Sequence, residues 1–125
     1  MTDKNESQLV AVVDDEEAVR EAVKRLLRAA DVTVESFASA EEFLQSGQLN
    51  NTGCLVADIR MPGLSGLDLL AELNRQHLSI PTILITAHGD ESLRLQAMRA
   101  GAVKFLSKPV DSAILLASVQ AALEF

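Results

Sequence analysis

Five polar residues follow short apolar runs of the chain, and together they could hold a cation and a phosphoryl group. They are Asp14, Asp15, Asp58, Thr86 and Lys108. Three carboxylates packed together repel one another, and each resists ionisation unless a counter-charge is present. Mg²⁺ is a suitable counter-charge, because it prefers oxygen ligands and is commonly bound by one or two carboxylates, several waters and a phosphate oxygen.

The same set contains the groups that phosphoryl transfer requires. An Asp carboxylate can act as a nucleophile and form an aspartyl phosphate. The Lys108 ammonium can pair with a carboxylate or a phosphoryl group, and the Thr86 hydroxyl can donate a hydrogen bond to a phosphoryl oxygen. A metal ion and an ammonium would then stabilise the charge that is spread over the transferring group.

The elements that position these residues are predicted from apolar runs rich in β-branched side chains. Four continuous runs cover residues 9–13, 54–57, 82–85 and 102–106, and a fifth, 32–37, alternates. Continuous apolarity is typical of strands that are buried on both faces of a parallel sheet, whereas alternation fits a strand at the sheet edge.

Helical patterns fill the gaps between these runs. Apolar residues spaced three or four apart between 18 and 27 predict an amphipathic first helix. Start signals precede the other four helices: the capping-box pairs Ser39–Glu42 and Ser65–Asp68, then Asp90 and Asp111. The fourth helix is predicted to stop near Gly101 and the fifth to run to Leu123.

A strand followed by a helix, repeated five times, predicts a doubly wound α/β fold with right-handed crossovers. Ligands of such sheets lie outside the carboxyl ends of the strands, so the five polar residues are expected to converge on one edge. We expect residues 1–8 to form a mobile lead-in and residues 9–125 to form a single domain.

Composition limits the classes of partner. The net charge of −7 and the pI of about 4.7 make the domain a poor binder of nucleic acid or anionic membranes, and a better one of cations. The single cysteine excludes a disulfide within the chain and favours the cytoplasm. No apolar run approaches the roughly 18 residues of a membrane span, and the first eight residues lack the core of a signal peptide.

With these residues in place, the sequence resembles the receiver domain of two-component response regulators from Leu9 to about Leu123. The matching segments, in order, are VVDDEEAVR, VADIRMPGLSGLDLL, ILITAHGD and GAVKFLSKPV. The phrases RMPGLSG, TAHGD and AMRAGAVKFLSKP resemble the nitrogen-fixation (FixJ) type of transcriptional regulator. The resemblance implies a flavodoxin-like receiver fold, with five helices around a five-stranded parallel sheet in the order 2-1-3-4-5.

The resemblance also implies a role for each acidic residue. Asp58 would accept the phosphoryl group, and Asp15 and Asp58 would bind Mg²⁺ directly, together with the backbone carbonyl of Arg60. Asp14 would act on the metal mostly through water. Arg60 and His88, each two places beyond a site residue, occupy positions that tune hydrolysis of the acyl phosphate in this family.

Thr86 and Lys108 would contact the phosphoryl group, and a cis peptide would join Lys108 to Pro109. Phe105 would be the switch aromatic that turns inward when Thr86 moves toward the phosphate. Many receivers carry Tyr at that position, so a contact that needs its hydroxyl is lost here.

As a function, the resemblance implies a signalling switch that assists its own phosphorylation and dephosphorylation, and not an enzyme. A sensor histidine kinase would be the phosphodonor. Phosphorylation would promote a homodimer through the fourth helix, fifth strand and fifth helix, the last of which is unusually apolar. The output would be transcription, through a DNA-binding domain that this chain does not include, and no contact with a membrane is expected.

Simpler interpretations exist for the single residues. Asp14 or Asp15 could cap the first helix, Asp58 could be a turn residue before Pro62, and Lys108 could be a solvated loop lysine. Each is reasonable for one residue alone. The joint occurrence of all these residues in this order favours the site.

Three other function classes fit the sequence less well. A phosphatase of the haloacid dehalogenase type needs a second Asp two places after its nucleophile, where this chain has Arg60. A flavodoxin-like cofactor binder needs a Ser-, Thr- and Gly-rich loop after the first strand, where this chain has an acidic loop, residues 14–17. A pseudo-receiver would lack part of the acid, Thr and Lys set, which is complete here.

Overall fold

The computed structural model describes residues 9–87 and 89–123. Five strands form one sheet in which all neighbouring strands are parallel and the order is β2-β1-β3-β4-β5. Their bounds are β1 Leu9–Val13, β2 Val34–Phe37, β3 Thr52–Asp58, β4 Thr82–Thr86 and β5 Lys104–Ser107. The predicted fold class and strand order are confirmed, and the alternating run forms an edge strand. The lead-in predicted for residues 1–8 lies outside the described residues.

Five α-helices cover the two faces of the sheet. They are α1 Glu17–Ala29, α2 Ala40–Leu44, α3 Gly66–Arg75, α4 Glu91–Arg99 and α5 Ser112–Leu123, with a short 3₁₀ turn at Leu49–Asn51. Helices α1 and α5 pack on one face of the sheet, and α2, α3 and α4 pack on the other. None of these helices combines the length and hydropathy that crossing a bilayer requires, as far as the described ranges go.

The central strands are buried on both faces, as their continuous apolarity predicts. In β1, Val10 and Val12 face α1 and α5, while Ala11 and Val13 face the opposite layer. Cys54 of β3 is fully buried in the first of these layers, and burial raises the pKa of its thiol to about 12. It is therefore a core residue and not a nucleophile at neutral pH.

Side-chain caps fix where the helices begin. Ser65 and Asp68 form a complete capping box at α3, as predicted. At α2, the Ser39 hydroxyl accepts from the Glu42 N–H, but the Glu42 carboxylate accepts from the N–H of Ala38, one residue before the cap. Asp90 accepts from the Leu93 N–H at the start of α4, and Asp111 accepts from the N–H of Ile114 in the first turn of α5.

The fifth strand begins two residues later than the apolar run 102–106 predicts. The N–H of Gly101, at φ 103°, donates to the carbonyl of Met98, and the N–H of Ala102 donates to that of Ala97. This pair of bonds is a Schellman motif, which closes the carboxyl end of α4. Ala102 therefore ends a helix, although its apolar character resembles that of a strand residue.

Candidate functional site

The candidate site lies where the strand order reverses, at the carboxyl ends of β1 and β3 in the centre of the sheet. Asp58 is the last residue of β3, and Asp14 directly follows β1. Both are buried: Asp58 is 6% exposed and Asp14 is 4% exposed. Carboxylates are rarely buried to this extent unless they are paired. Their placement confirms that the topology brings these two acids together, as the apolar runs predict.

The Lys108 ammonium pairs with both buried acids and with one exposed acid. Its Nζ lies 3.0 Å from Asp58 Oδ2, 3.4 Å from Asp14 Oδ2 and 3.3 Å from Glu16 Oε1. An ammonium has three donors, so one is available for each carboxylate. Lys108 follows β5 and lies on the loop toward α5, and its backbone N–H donates to the Thr86 carbonyl at 2.9 Å. The peptide between Lys108 and Pro109 is cis, as the resemblance implies.

Asp14 is held on two sides. Its Oδ1 accepts a hydrogen bond from the Glu16 N–H at 2.9 Å, and its backbone carbonyl accepts one from Arg20 Nη1 at 2.8 Å. Arg20 is the fourth residue of α1, so the helix that follows the acidic loop also fixes the loop. Asp14 therefore does not cap α1 by itself: the N-cap residue is Glu16, whose side chain makes no capping bond.

Burial and pairing shift two pKa values in the site. Burial raises the pKa of Asp14 above its ordinary value, with a smaller contribution from the charge of Asp58, while the Glu16 N–H and the Lys108 ammonium lower it. Partial burial alone would lower the pKa of Lys108. The hydrogen bond to Asp58 and the charges of Asp14 and Asp58 outweigh that effect, so the pKa of Lys108 lies above its ordinary value.

Gly66 permits a close approach of α3 to Asp58. Its N–H donates to the carbonyl of Ile59 at 2.9 Å, and a Cβ at this position would lie 2.5 Å from the Asp58 carbonyl oxygen. The backbone N–H of Arg60 points to Asp58 Oδ1 at 3.3 Å, while the Arg60 residue is exposed. Any side chain at 66 would push the start of α3 away from Asp58.

Thr86 and Phe105 lie at the ends of the two remaining strands. Thr86 ends β4 and is fully buried, and Phe105 is half-buried on the adjacent strand β5. A Cβ built on Gly89 would lie 3.0 Å from the Phe105 ring and 3.0 Å from Thr86 Cγ2. The two predicted switch residues therefore enclose one small gap. His88, predicted to tune hydrolysis, lies outside the described residues.

The donor set fits a hard divalent cation. Carboxylate oxygens of Asp14, Glu16 and Asp58 lie within 4.8 Å of one another, and oxygen ligands at such spacing suit Mg²⁺. Asp15, which the resemblance implies as a direct ligand, is exposed and stands outside that set. Glu16 was not among the residues predicted from sequence. The only sequence signal for Glu16 is its place in the acidic loop, residues 14–17. The neighbouring Glu17 gives the same signal, so the sequence does not distinguish the two.

The sequence model of the response regulator receiver domain matches residues 10–120 of this chain. The transcriptional regulatory protein FixJ of Azorhizobium caulinodans is 46% identical over 118 residues, which cover 94% of this chain and 56% of that protein. Nodulation protein W of Bradyrhizobium diazoefficiens is 46% identical over 123 residues, which cover 98% of this chain and 54% of that protein. The chain spans about half the length of the curated relatives it matches.

Solved structures agree with the sequence relatives. The crystal structure of FixJ-N superposes with a TM-score of 0.84 at 38% identity and covers 94% of each chain. The response regulator StyR superposes with a TM-score of 0.85 at 44% identity, over 92% of this chain and 58% of that one. These matches confirm the resemblance to FixJ-type regulators that the loop phrases indicate.

Proposed function

The chain belongs to the response regulator receiver domain family, and from that premise we propose that it is a switch in which Asp58 accepts a phosphoryl group from a sensor histidine kinase. Receiver domains are signalling switches and are generally not classed as enzymes. The observation that carries the proposal is the pairing of the buried Asp58 with Lys108 and its proximity to Asp14 at the carboxyl edge of the sheet.

In the proposed step, an oxygen of Asp58 attacks the phosphorus of a phosphohistidine. The new P–O bond forms as the P–N bond breaks, and the imidazole leaves with the bonding electron pair. The product is an acyl phosphate in place of a carboxylate. Because Lys108 holds Asp58 Oδ2 at 3.0 Å, the carboxylate is oriented before the donor arrives.

Mg²⁺ is the cofactor that we propose for this site. Asp15, Asp58 and the backbone carbonyl of Arg60 would bind it directly, and Asp14 through water. When bound, it would neutralise the charge that gathers on the phosphoryl oxygens. The cluster of carboxylate oxygens within 4.8 Å supports this assignment for Asp14 and Asp58.

The new phosphoryl charge would be detected by two side chains. Lys108 would move its hydrogen bond from the carboxylate to a phosphoryl oxygen, and the Thr86 hydroxyl would donate another. Movement of Thr86 would open room for the Phe105 ring to turn inward from β5. Arg60 and His88 would then influence how fast water hydrolyses the acyl phosphate.

Intact mass after incubation with acetyl phosphate and Mg²⁺ tests the proposal. The wild type should gain one phosphoryl group, and the gain should require Mg²⁺ and be absent from Asp58→Asn. Asp31→Asn is the matched control, since it removes one acidic charge from an exposed turn at φ 63°, a conformation that Asn adopts well. If the wild type gains no mass while a known receiver is labelled in parallel, the chain is a pseudo-receiver.

We also propose that phosphorylation promotes a homodimer through the face formed by α4, β5 and α5. Leu95 and Met98 on α4, Val103 before β5 and Ile114 on α5 are large apolar side chains that are 40% to 50% exposed on these elements. Val103 and Ile114 line one shared groove, and a contiguous exposed apolar patch is typical of an interaction surface. Sedimentation velocity of the phosphorylated chain tests this, and a monomer at every concentration would contradict it.

The output that we propose is control of transcription. Among the relatives named above, FixJ of Azorhizobium caulinodans is a transcriptional regulatory protein, and this chain covers 56% of its length. A DNA-binding domain elsewhere in such a protein would be the part that contacts DNA.

The cytoplasmic location stays a prediction, with which the free, buried Cys54 is compatible.

A further inference from the structure

We propose that Glu16 is a rim carboxylate that acts with opposite sign on the two charged ligands of the site. It strengthens the binding of the divalent cation, and it slows phosphorylation by an anionic phosphodonor. This inference rests on the proposed function of Asp58 and adds a residue that tunes it.

The backbone fixes where Glu16 begins. Its N–H donates to Asp14 Oδ1 at 2.9 Å, and its backbone is extended (φ −95°, ψ 115°) as the N-cap of α1. From there its Oε1 reaches to 3.3 Å from Lys108 Nζ and lies within 4.8 Å of carboxylate oxygens of Asp14 and Asp58. The side chain therefore turns over the site and not along the helix.

Exposure separates Glu16 from the two inner acids. Its side chain is 63% exposed, whereas those of Asp14 and Asp58 are 5% and 7% exposed. Glu16 thus occupies the solvent side of the cluster, which is the side from which a cation or a phosphodonor must come. Its charge acts on both ligands during approach and after binding.

For the cation, the effect of Glu16 is attractive. In a solvent-exposed site, a unit negative charge roughly 5 Å from a divalent ion raises the affinity of the site for that ion by about three- to ten-fold. The effect needs no direct bond to the metal. It depends only on the carboxylate staying at this distance, which its contact with Lys108 favours.

For the phosphodonor, the effect of Glu16 is unfavourable for two reasons. Its charge repels an anionic donor, and its oxygen occupies one of the three donors of Lys108. Removing the charge would weaken this contact and make the donor more available to a phosphoryl oxygen. At saturating Mg²⁺, the phosphorylation rate should therefore rise by about two- to five-fold.

The test compares Glu16→Gln with Glu17→Gln. Glu17 is exposed, lies one residue further on, and forms no ion pair or side-chain hydrogen bond within residues 9–87 and 89–123. It therefore matches the charge change without the contact. Calorimetric titration with Mg²⁺ gives the affinity without any phosphorylation. The rate with acetyl phosphate at saturating Mg²⁺ gives the second readout.

The expected result is weaker Mg²⁺ binding and faster phosphorylation for Glu16→Gln, with Glu17→Gln close to wild type. Glu16→Asp, which keeps the charge on a shorter chain, should bind Mg²⁺ more tightly than Glu16→Gln. Equal Mg²⁺ affinities of wild type and Glu16→Gln, or equal losses in both Gln variants, would overturn the inference. If no variant and no wild type is phosphorylated, the function of Asp58 fails, while the Mg²⁺ titration still decides the role of Glu16.

Discussion

At the residue level, the site concentrates charge around one pair of buried carboxylates. Asp14 and Asp58 are buried side by side, and one Lys108 ammonium is shared between them and Glu16. The raised pKa of Asp14 means that its ionised form is disfavoured by the folded environment. The carboxylate charges would bind a cation, and the Lys108 ammonium would bind a phosphoryl group.

Asp14→Asn should therefore stabilise the metal-free protein at pH 7. Because the folded pKa of Asp14 lies above its unfolded value, the favourable contribution of this group is complete only below pH 3.8, and it is lost as the pH rises through the folded pKa. The gain for Asp14→Asn should be about 1 kcal/mol at pH 7 and should shrink as the pH falls toward 4. Urea unfolding in EDTA across this pH range measures it.

The control for this prediction is Asp111→Asn. Asn replaces Asp well at a helix start, and Asp111 is exposed, so this variant loses the same charge without relieving a buried one. A pH-independent gain, or an equal gain in the control, would show that burial of Asp14 is not the cause.

At the level of secondary structure, Thr86 at the end of β4 and Phe105 on β5 border the same gap, which Gly89 leaves open. Thr86 Cγ2 and the Phe105 ring each lie 3.0 Å from the position of a Gly89 Cβ. That distance is shorter than a comfortable carbon–carbon contact, so an added methyl must displace one of them. Phe105 is half-buried and can yield more easily than the fully buried Thr86.

Gly89→Ala should leave labelling of Asp58 intact but impair inward rotation of the Phe105 ring. We expect a destabilisation of about 1 kcal/mol, which is typical of an added methyl in a packed region. The ring signals of Phe105 in NMR spectra, recorded with and without acetyl phosphate, measure the rotation.

The double variant Gly89→Ala with Phe105→Ala provides the control. If the ring is what the methyl meets, the cost of Gly89→Ala should be much smaller when Phe105 is already truncated. Equal costs in both backgrounds would place the conflict at Thr86 or in the loop itself.

How far the sequence predicts these elements depends on the range of the interaction. Continuous apolar runs located β1 without error, and Ser65 with Asp68 located the start of α3, because both signals are local. The predicted start of β5 was wrong by two residues, because an apolar residue such as Ala102 is equally compatible with a helix end and with a strand.

Contacts between segments that are distant in the sequence cannot be predicted from such local patterns. The bond from Arg20 to the Asp14 carbonyl, the contact of Glu16 with Lys108 and the narrow space beside Gly66 depend on side-chain directions that only the folded chain defines. The convergence of Asp14, Asp58 and Lys108 was predictable, because the carboxyl ends of parallel strands must lie at one edge.

At the scale of the whole molecule, one central site is connected to a distant surface. The sheet places Asp58 in the centre and β5 at the edge, with β4 and its Thr86 between them. Moving a two-state equilibrium from mostly off to mostly on takes roughly 5 kcal/mol of differential stabilisation. A few charge-assisted hydrogen bonds from Lys108 and Thr86 to a phosphoryl group can contribute on that scale.

A phosphoryl charge placed on Asp58 should change the conformation of α4 and β5. Two-dimensional ¹H–¹⁵N NMR spectra in Mg²⁺, recorded before and after addition of acetyl phosphate, test it most directly. We expect shifted signals around Asp58 and also at Thr86, at Phe105 and along α4. None of these signals should move in Asp58→Asn. Shifts confined to the loops after β1 and β3, with α4 and β5 unchanged, would contradict it.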